Sequence, residues 1–123
     1  MNFSRENMTS LSVRRVEPGA IGIGERTITE NVIIFRDQLR QGPAIDTVSA
    51  IGVSDIQEIL DESPDIVILG TGWQTQRPPR ELVFALARRG IGFESMDTPA
   101  ACRTFNILLS EGRDVAAVLL IKE

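Results

Sequence analysis

Residues 64–121 read PDIVILGTGWQTQRPPRELVFALARRGIGFESMDTPAACRTFNILLSEGRDVAAVLLI, and this stretch decides the fold. It opens on a short apolar run, Asp65-Ile66-Val67-Ile68-Leu69, that stops at Gly70-Thr71-Gly72. A run this short, rich in β-branched residues and bounded by glycine, is a strand signal. A second run, 91–96, stops at Asp97-Thr98-Pro99, and a third, 115–121, is apolar throughout, as a strand covered on both faces should be. Two helical patterns lie between them. The first begins near Pro79 and ends at Gly90, with Arg88 and Arg89 in the last turn, where cations complement the helix dipole and glycine suits the residue after the C-cap. The second takes Thr98 as N-cap and Pro99 as its first residue, closes at Gly112, and sets Ala101, Phe105, Leu108 and Leu109 on one face. This order predicts a parallel βαβαβ unit whose loops after Leu69 and Met96 meet at one edge.

Upstream, Pro18-Gly19 suits the centre of a type II turn between runs 12–16 and 20–23, which predicts an antiparallel hairpin. Gly24-Glu25 offers a second turn before the β-rich region 26–35, and Gln41-Gly42-Pro43 closes the strand region. Ser54 with Gln57 three residues on reads as a capping box, opening a short helix that buries Ile56, Ile59 and Leu60 and ends at Ser63-Pro64. The fold class is therefore α/β: one three-layer domain over 11–123, with the N-terminal antiparallel hairpin region joined to the parallel unit in a mixed sheet. Residues 1–10 are expected to form a flexible N-terminal segment.

With 123 residues, 42% hydrophobic and 24% charged, the chain fits one ordinary core. The net charge of −4 argues against nucleic acid as a partner and against acidic membrane surfaces. The longest apolar run is seven residues, so no segment matches a transmembrane helix. The first ten residues have no apolar core, which reads as no secretory signal or transit peptide and a bacterial-type, cytoplasmic location. Without a histidine or tyrosine, and with one cysteine, the chain lacks Ser-His and Cys-His pairs and His-containing zinc sites. No metal, no cofactor and no catalytic residue is expected.

Gly70, Thr71 and Gly72 occupy a strand-to-helix loop that would let a backbone approach phosphate oxygens, yet Thr75 stands where a dinucleotide fingerprint needs its third glycine. The other reading is a plain turn out of a buried strand. Thr98 and Ala100 sit at a helix start whose N–H groups would suit a small anion, with Arg77 and Arg103 to add charge; otherwise Thr98 only caps its own helix. Cys102, one turn in, is either a thiol tuned by the helix dipole or a small core residue. Trp73, the only tryptophan, is either a partner anchor on a proline-braced loop or a cover for the sheet edge. The interior 82–87, LVFALA, is apolar nearly all round, which implies deep burial or an outer face that meets a partner.

Gly70-Thr71-Gly72, the run TPAACRTFN at 98–106 and Ser110-Glu111-Gly112-Arg113 before the last strand resemble the Mth938-domain family, which includes mitochondrial complex I assembly factor 3 and the adipogenesis-associated Mth938-domain protein. The matching residues are Gly70, Gly72, Thr98, Ala100, Ala101, Arg103, Thr104, Asn106, Glu111 and Arg113. The resemblance implies a three-layer α/β domain that binds another protein as an accessory or assembly factor, without catalysis. The alternative is a small-molecule or anion-binding domain, enzymatic or not, using Gly70 to Trp73 and the start of the helix at Thr98.

Overall fold

The computed structural model describes residues 11–122, so the segment 1–10 lies outside the described residues. Strands β1 (Val13–Glu17), β2 (Ala20–Ile23) and β3 (Arg26–Ile28) form a small antiparallel sheet in that order. Gly19, at φ +83°, supplies the left-handed residue that the Pro18-Gly19 turn requires. The region 26–35 does not continue as one strand. After Ile28 the chain leaves this sheet, and β4 (Val32–Phe35) enters a second one of five strands.

The sequence reading did not separate β5 (Gln38–Gln41) from what precedes it. It pairs with β4 through a two-residue turn, Arg36-Asp37, in which both residues take positive φ (48° and 62°) without a glycine to announce it. The next correction concerns the first helix. A 3₁₀ turn, Val53–Asp55, comes first, and Gly52 N donates to the Asp55 carboxylate at 2.7 Å, so Ser54 is an exposed residue inside a turn and caps nothing. Helix α1 (Gln57–Asp61) follows and buries Ile59 and Leu60.

Strands β6 (Ile66–Gly70), β7 (Gly92–Met96) and β8 (Val115–Leu119) alternate with α2 (Arg80–Arg88) and α3 (Thr98–Ser110). The sheet order is β5-β4-β8-β6-β7: β6 pairs both neighbours in parallel, and β4 joins β8 antiparallel, giving the expected mixed sheet. Alternation along each strand then sorts side chains into two cores. Ile33, Phe35, Val67, Leu69, Ala116 and Val118 meet α1 and Leu82 and Leu86 of α2. Ile34, Ile68, Ala117 and Leu119 face Ala101, Cys102 and Phe105 of α3, together with Ile21 and Ile23 of the small sheet.

Both long helices end as their glycines predicted. Gly90 and Gly112 are left-handed (φ +70° and +76°), and the N–H groups of Gly90, Ile91, Gly112 and Arg113 return to Ala87, Leu86, Leu109 and Leu108. The deep burial of α2, in contrast, does not hold. Leu82, Ala85 and Leu86 are buried, but Phe84 is 55% exposed and Val83 38%.

Candidate functional site

Strand β6 feeds α2 on one face of the sheet and β7 feeds α3 on the other. In open α/β sheets the crevice between two such diverging connections is where ligands bind. Gly70 ends β6 at its floor, opposite Met96 of β7 and Leu119 of β8. A Cβ on Gly70 would stand 2.9 Å from Thr98 Oγ1 and 3.1 Å from Thr98 Cα, so this glycine allows α3 to sit tight on the strand end. Gly72 has a different reason, φ +100° with open space around it.

The two loops bond to each other across this crevice. Thr71 N donates to Met96 O at 2.8 Å and Thr98 N to Gly72 O at 2.7 Å. Thr71 Oγ1 donates to Gln74 O and Met96 O. Thr98 Oγ1 accepts from Gly72 N at 2.9 Å and donates to Leu120 O at 2.7 Å.

Thr98 is therefore not the N-cap. Asp97 is, with its carboxylate accepting from Ala100 N at 2.8 Å; Thr98 becomes the first helical residue and Pro99 the second. The physical reason is a choice between neighbours. The Asp97 carboxylate is the stronger acceptor beside the positive helix end, which leaves the Thr98 hydroxyl to turn inward and bridge β6 and the end of β8. In the first turn Thr98 N goes to Gly72, Pro99 has no N–H, and Ala100 N and Ala101 N go to Asp97. The helix start has no backbone donor left over and carries a carboxylate at its cap.

The structure thus brings together Gly70, Thr71, Gly72 and Thr98, with Ala100 half-buried beside them. Trp73 is half-buried as well, and its indole N–H is buried without a partner among the described residues. Arg77 and Arg103 are exposed and make no ion pair or hydrogen bond among the described residues. No group of metal-ligating side chains stands together among the described residues.

Cys102 is a core residue, 1% exposed, and burial pushes its thiol up to about 12 against the opposing charge of Arg103. The thiol is neutral in the folded state across the physiological range. The stability that goes with the neutral thiol is complete below 9.0, the ordinary value, and is lost as pH rises towards 12. A disulfide reagent at pH 8 should label Cys102 only as fast as the protein opens, and fully in denaturant. Rapid stoichiometric labelling of the native protein would contradict this burial.

Two asparagines hold the layers in register: Asn106, which the sequence offered only as a motif residue, and Asn31, which sequence reasoning missed. Asn106 pairs both side-chain groups with the Val13 backbone, each at 2.8 Å, and so ties α3 to the small sheet. Asn31, at the switch between sheets, donates to Pro43 O and Ile45 O and accepts from Ile121 N. A groove of about 480 Å³ lies next to it, lined by Arg26, Ile28, Leu39, Pro43 and Lys122 among others. The signal for Asn31 was present, a polar residue set against the apolar run 32–35.

Residues 13–120 match the family described as protein of unknown function DUF498/DUF598. The chain belongs to this family. It is the one that includes Mth938-like domains, in agreement with the motif resemblance. The chain is 45% identical over 62 residues to NADH dehydrogenase (ubiquinone) 1 alpha subcomplex assembly factor 3 of Danio rerio, covering 50% of this chain and 36% of that protein. It is 33% identical over 76 residues to the 13 kDa major membrane protein of Francisella tularensis, 62% of each. The chain thus spans less than two thirds of the length of either relative. An outer membrane protein from Bartonella henselae superposes with a TM-score of 0.82 at 29% identity, covering 92% of this chain and 96% of that one.

The expected cytoplasmic location is overturned by that last likeness, since a protein of the same fold along nearly its whole length is an outer membrane protein. The expectation rested on missing apolar stretches. The apolar core it looked for in the first ten residues is that of a secretory signal. Among the described residues no helix is long and apolar enough to cross a membrane.

Proposed function

We propose that this domain is a protein-binding accessory factor that serves the assembly of a membrane-associated complex and catalyses no reaction. The observation that carries this reading is the 45% identity to a respiratory complex assembly factor over half of the chain. The closed crevice supports it. Where a small molecule would enter a sheet of this kind, the Thr71 and Thr98 hydrogen bonds join the two loops, and the helix start offers no spare donor to an anion. What this edge presents outward is the loop 73–79, exposed from Gln74 to Arg77, with the half-buried Trp73 at its start.

The test is Trp73→Ala, first shown to be folded by circular dichroism. Truncating a central aromatic anchor costs about 2 kcal/mol of binding, so affinity for the partners that co-purify with the wild type in mild detergent should fall roughly thirty-fold. Equal affinity of a folded variant would remove the loop from the contact.

A further inference from the structure

Two large apolar side chains stand far out of the helices, Phe84 on α2 and Ile107 on α3, at 55% and 58% exposure. Their surroundings differ in charge. One turn to either side of Ile107 lie Arg103 and Glu111, which balance. One turn to either side of Phe84 lie Arg80 and Arg88, both cationic.

Helical periodicity places Arg80, Phe84 and Ala87 at the centre of the open face of α2, with Val83 on one flank and Arg88 on the other. Leu82, Ala85 and Leu86 take the opposite, buried side. Neither Arg80 nor Arg88 forms an ion pair among the described residues, whereas Arg89 is held by Asp61. Arg77 adds a third unpaired cation in the loop just before the helix. The helix has one acid, Glu81, in its first turn on the Arg88 flank. A cationic, apolar face on a chain of net charge −4 selects its partner by both properties.

We infer that the outer face of α2, centred on Phe84 between Arg80 and Arg88, docks an acidic segment of a partner protein that brings an apolar side chain onto Phe84. This deepens the protein-binding reading and rests on it. An anionic bilayer is the weaker match. Electrostatic membrane attachment draws on clusters of four to eight basic residues, against three here in a net acidic chain. A second copy fits poorly too, because a two-fold contact centred on Phe84 would set cation against cation, Arg80 against Arg88 of the copy when the helices run antiparallel and each against its own counterpart when they run parallel. Nine residues of helix extend about 13 Å, the reach of a short segment.

The experiment replaces Phe84 with photoreactive p-benzoylphenylalanine in the full chain, crosslinks in the producing cells, and sequences the attached peptide. A parallel protein carries the same group in place of Trp73. The expected adduct at position 84 is a different protein, joined at an apolar residue within a net acidic stretch. Its yield should fall about tenfold in Arg80→Glu/Arg88→Glu and not in the remote Arg14→Glu, and, when the crosslinking is repeated in lysate with both arginines in place, should fall as salt rises. Because the salt arm needs no charge reversal, a poorly folding double variant does not blunt the test.

An adduct with phospholipid, with a second copy, or with a neutral or basic segment would overturn the inference, as would no adduct at 84. Adducts with protein at 73 but none at 84 would sink this inference and leave the accessory-factor reading standing. No protein adduct at either position would end both.

Discussion

Asn31→Ala should cost about 4 kcal/mol of stability, a large share of what a domain of this size possesses. Asn31 is 7% exposed and closes four buried or partly buried hydrogen bonds with a single side chain, the longest from Lys122 N at 3.4 Å. Its Nδ2 donates to Pro43 O and Ile45 O, both at 2.9 Å, fixing the loop that follows β5. Its Oδ1 accepts from Ile121 N at 2.8 Å, fixing the chain beyond β8. Alanine leaves that Ile121 N–H and the facing carbonyls without partners, and each such group costs about 1–3 kcal/mol when water cannot reach it. The urea midpoint should fall with an unchanged slope. Asn31→Asp separates the two arms. It keeps the acceptor for Ile121 but opposes a carboxylate to two carbonyls, so it should lose nearly as much as alanine. A loss under about 1 kcal/mol in Asn31→Ala would show that the clamp is dispensable.

That residue also marks where the sequence stops being legible. The βαβαβ unit could be read from 64–121 because each strand is a short apolar run with a stop, and because Gly90 and Gly112 end their helices by a backbone requirement that few other residues meet. Those are local signals. The split of 26–35 between two sheets is only partly local: the change from Arg26-Thr27-Ile28 to the fully apolar Val32–Phe35 stands in the sequence, but which sheet each run joins is set by pairing with β2 for one and β8 for the other, and by the bonds of Asn31 to Pro43, Ile45 and Ile121. Likewise the turn at Arg36-Asp37 takes positive φ twice with ordinary residues, held by strands on both sides. For the edge site, the meeting of Gly70 to Gly72 with Thr98 followed from strand ends in one direction. Its closure did not, because the bonds between Thr71 and Met96 and between Gly72 and Thr98 run through backbone groups that every residue has. The open side of α2 was hidden for another reason. LVFALA is apolar enough for any depth, and which residues surface depends on what the rest of the fold leaves uncovered.

Thr98→Val should destabilise the protein by about 3 kcal/mol although it preserves shape and volume. Valine fits the same fully buried space, so the packing against Gly70 is retained and the change isolates the hydroxyl. The hydroxyl makes two buried bonds, from Gly72 N at 2.9 Å and to Leu120 O at 2.7 Å, and its loss leaves a buried N–H and a buried carbonyl without these partners. Thr98→Ser restores both bonds and removes one methyl group, so it should cost only about 1 kcal/mol. The order valine worse than serine is the discriminating result, because a position that merely filled space would rank them the other way. Amide exchange adds a local reading. In Thr98→Val the Gly72 N–H should exchange much faster than in the wild type, while Thr71 N, bonded to Met96 O, keeps protection in step with global stability. If valine proves as stable as threonine, or if Gly72 stays protected, then the hydroxyl bonds to Gly72 and Leu120 do not hold this edge closed, and the backbone pairs of Thr71 with Met96 and of Thr98 with Gly72 carry the closure without them.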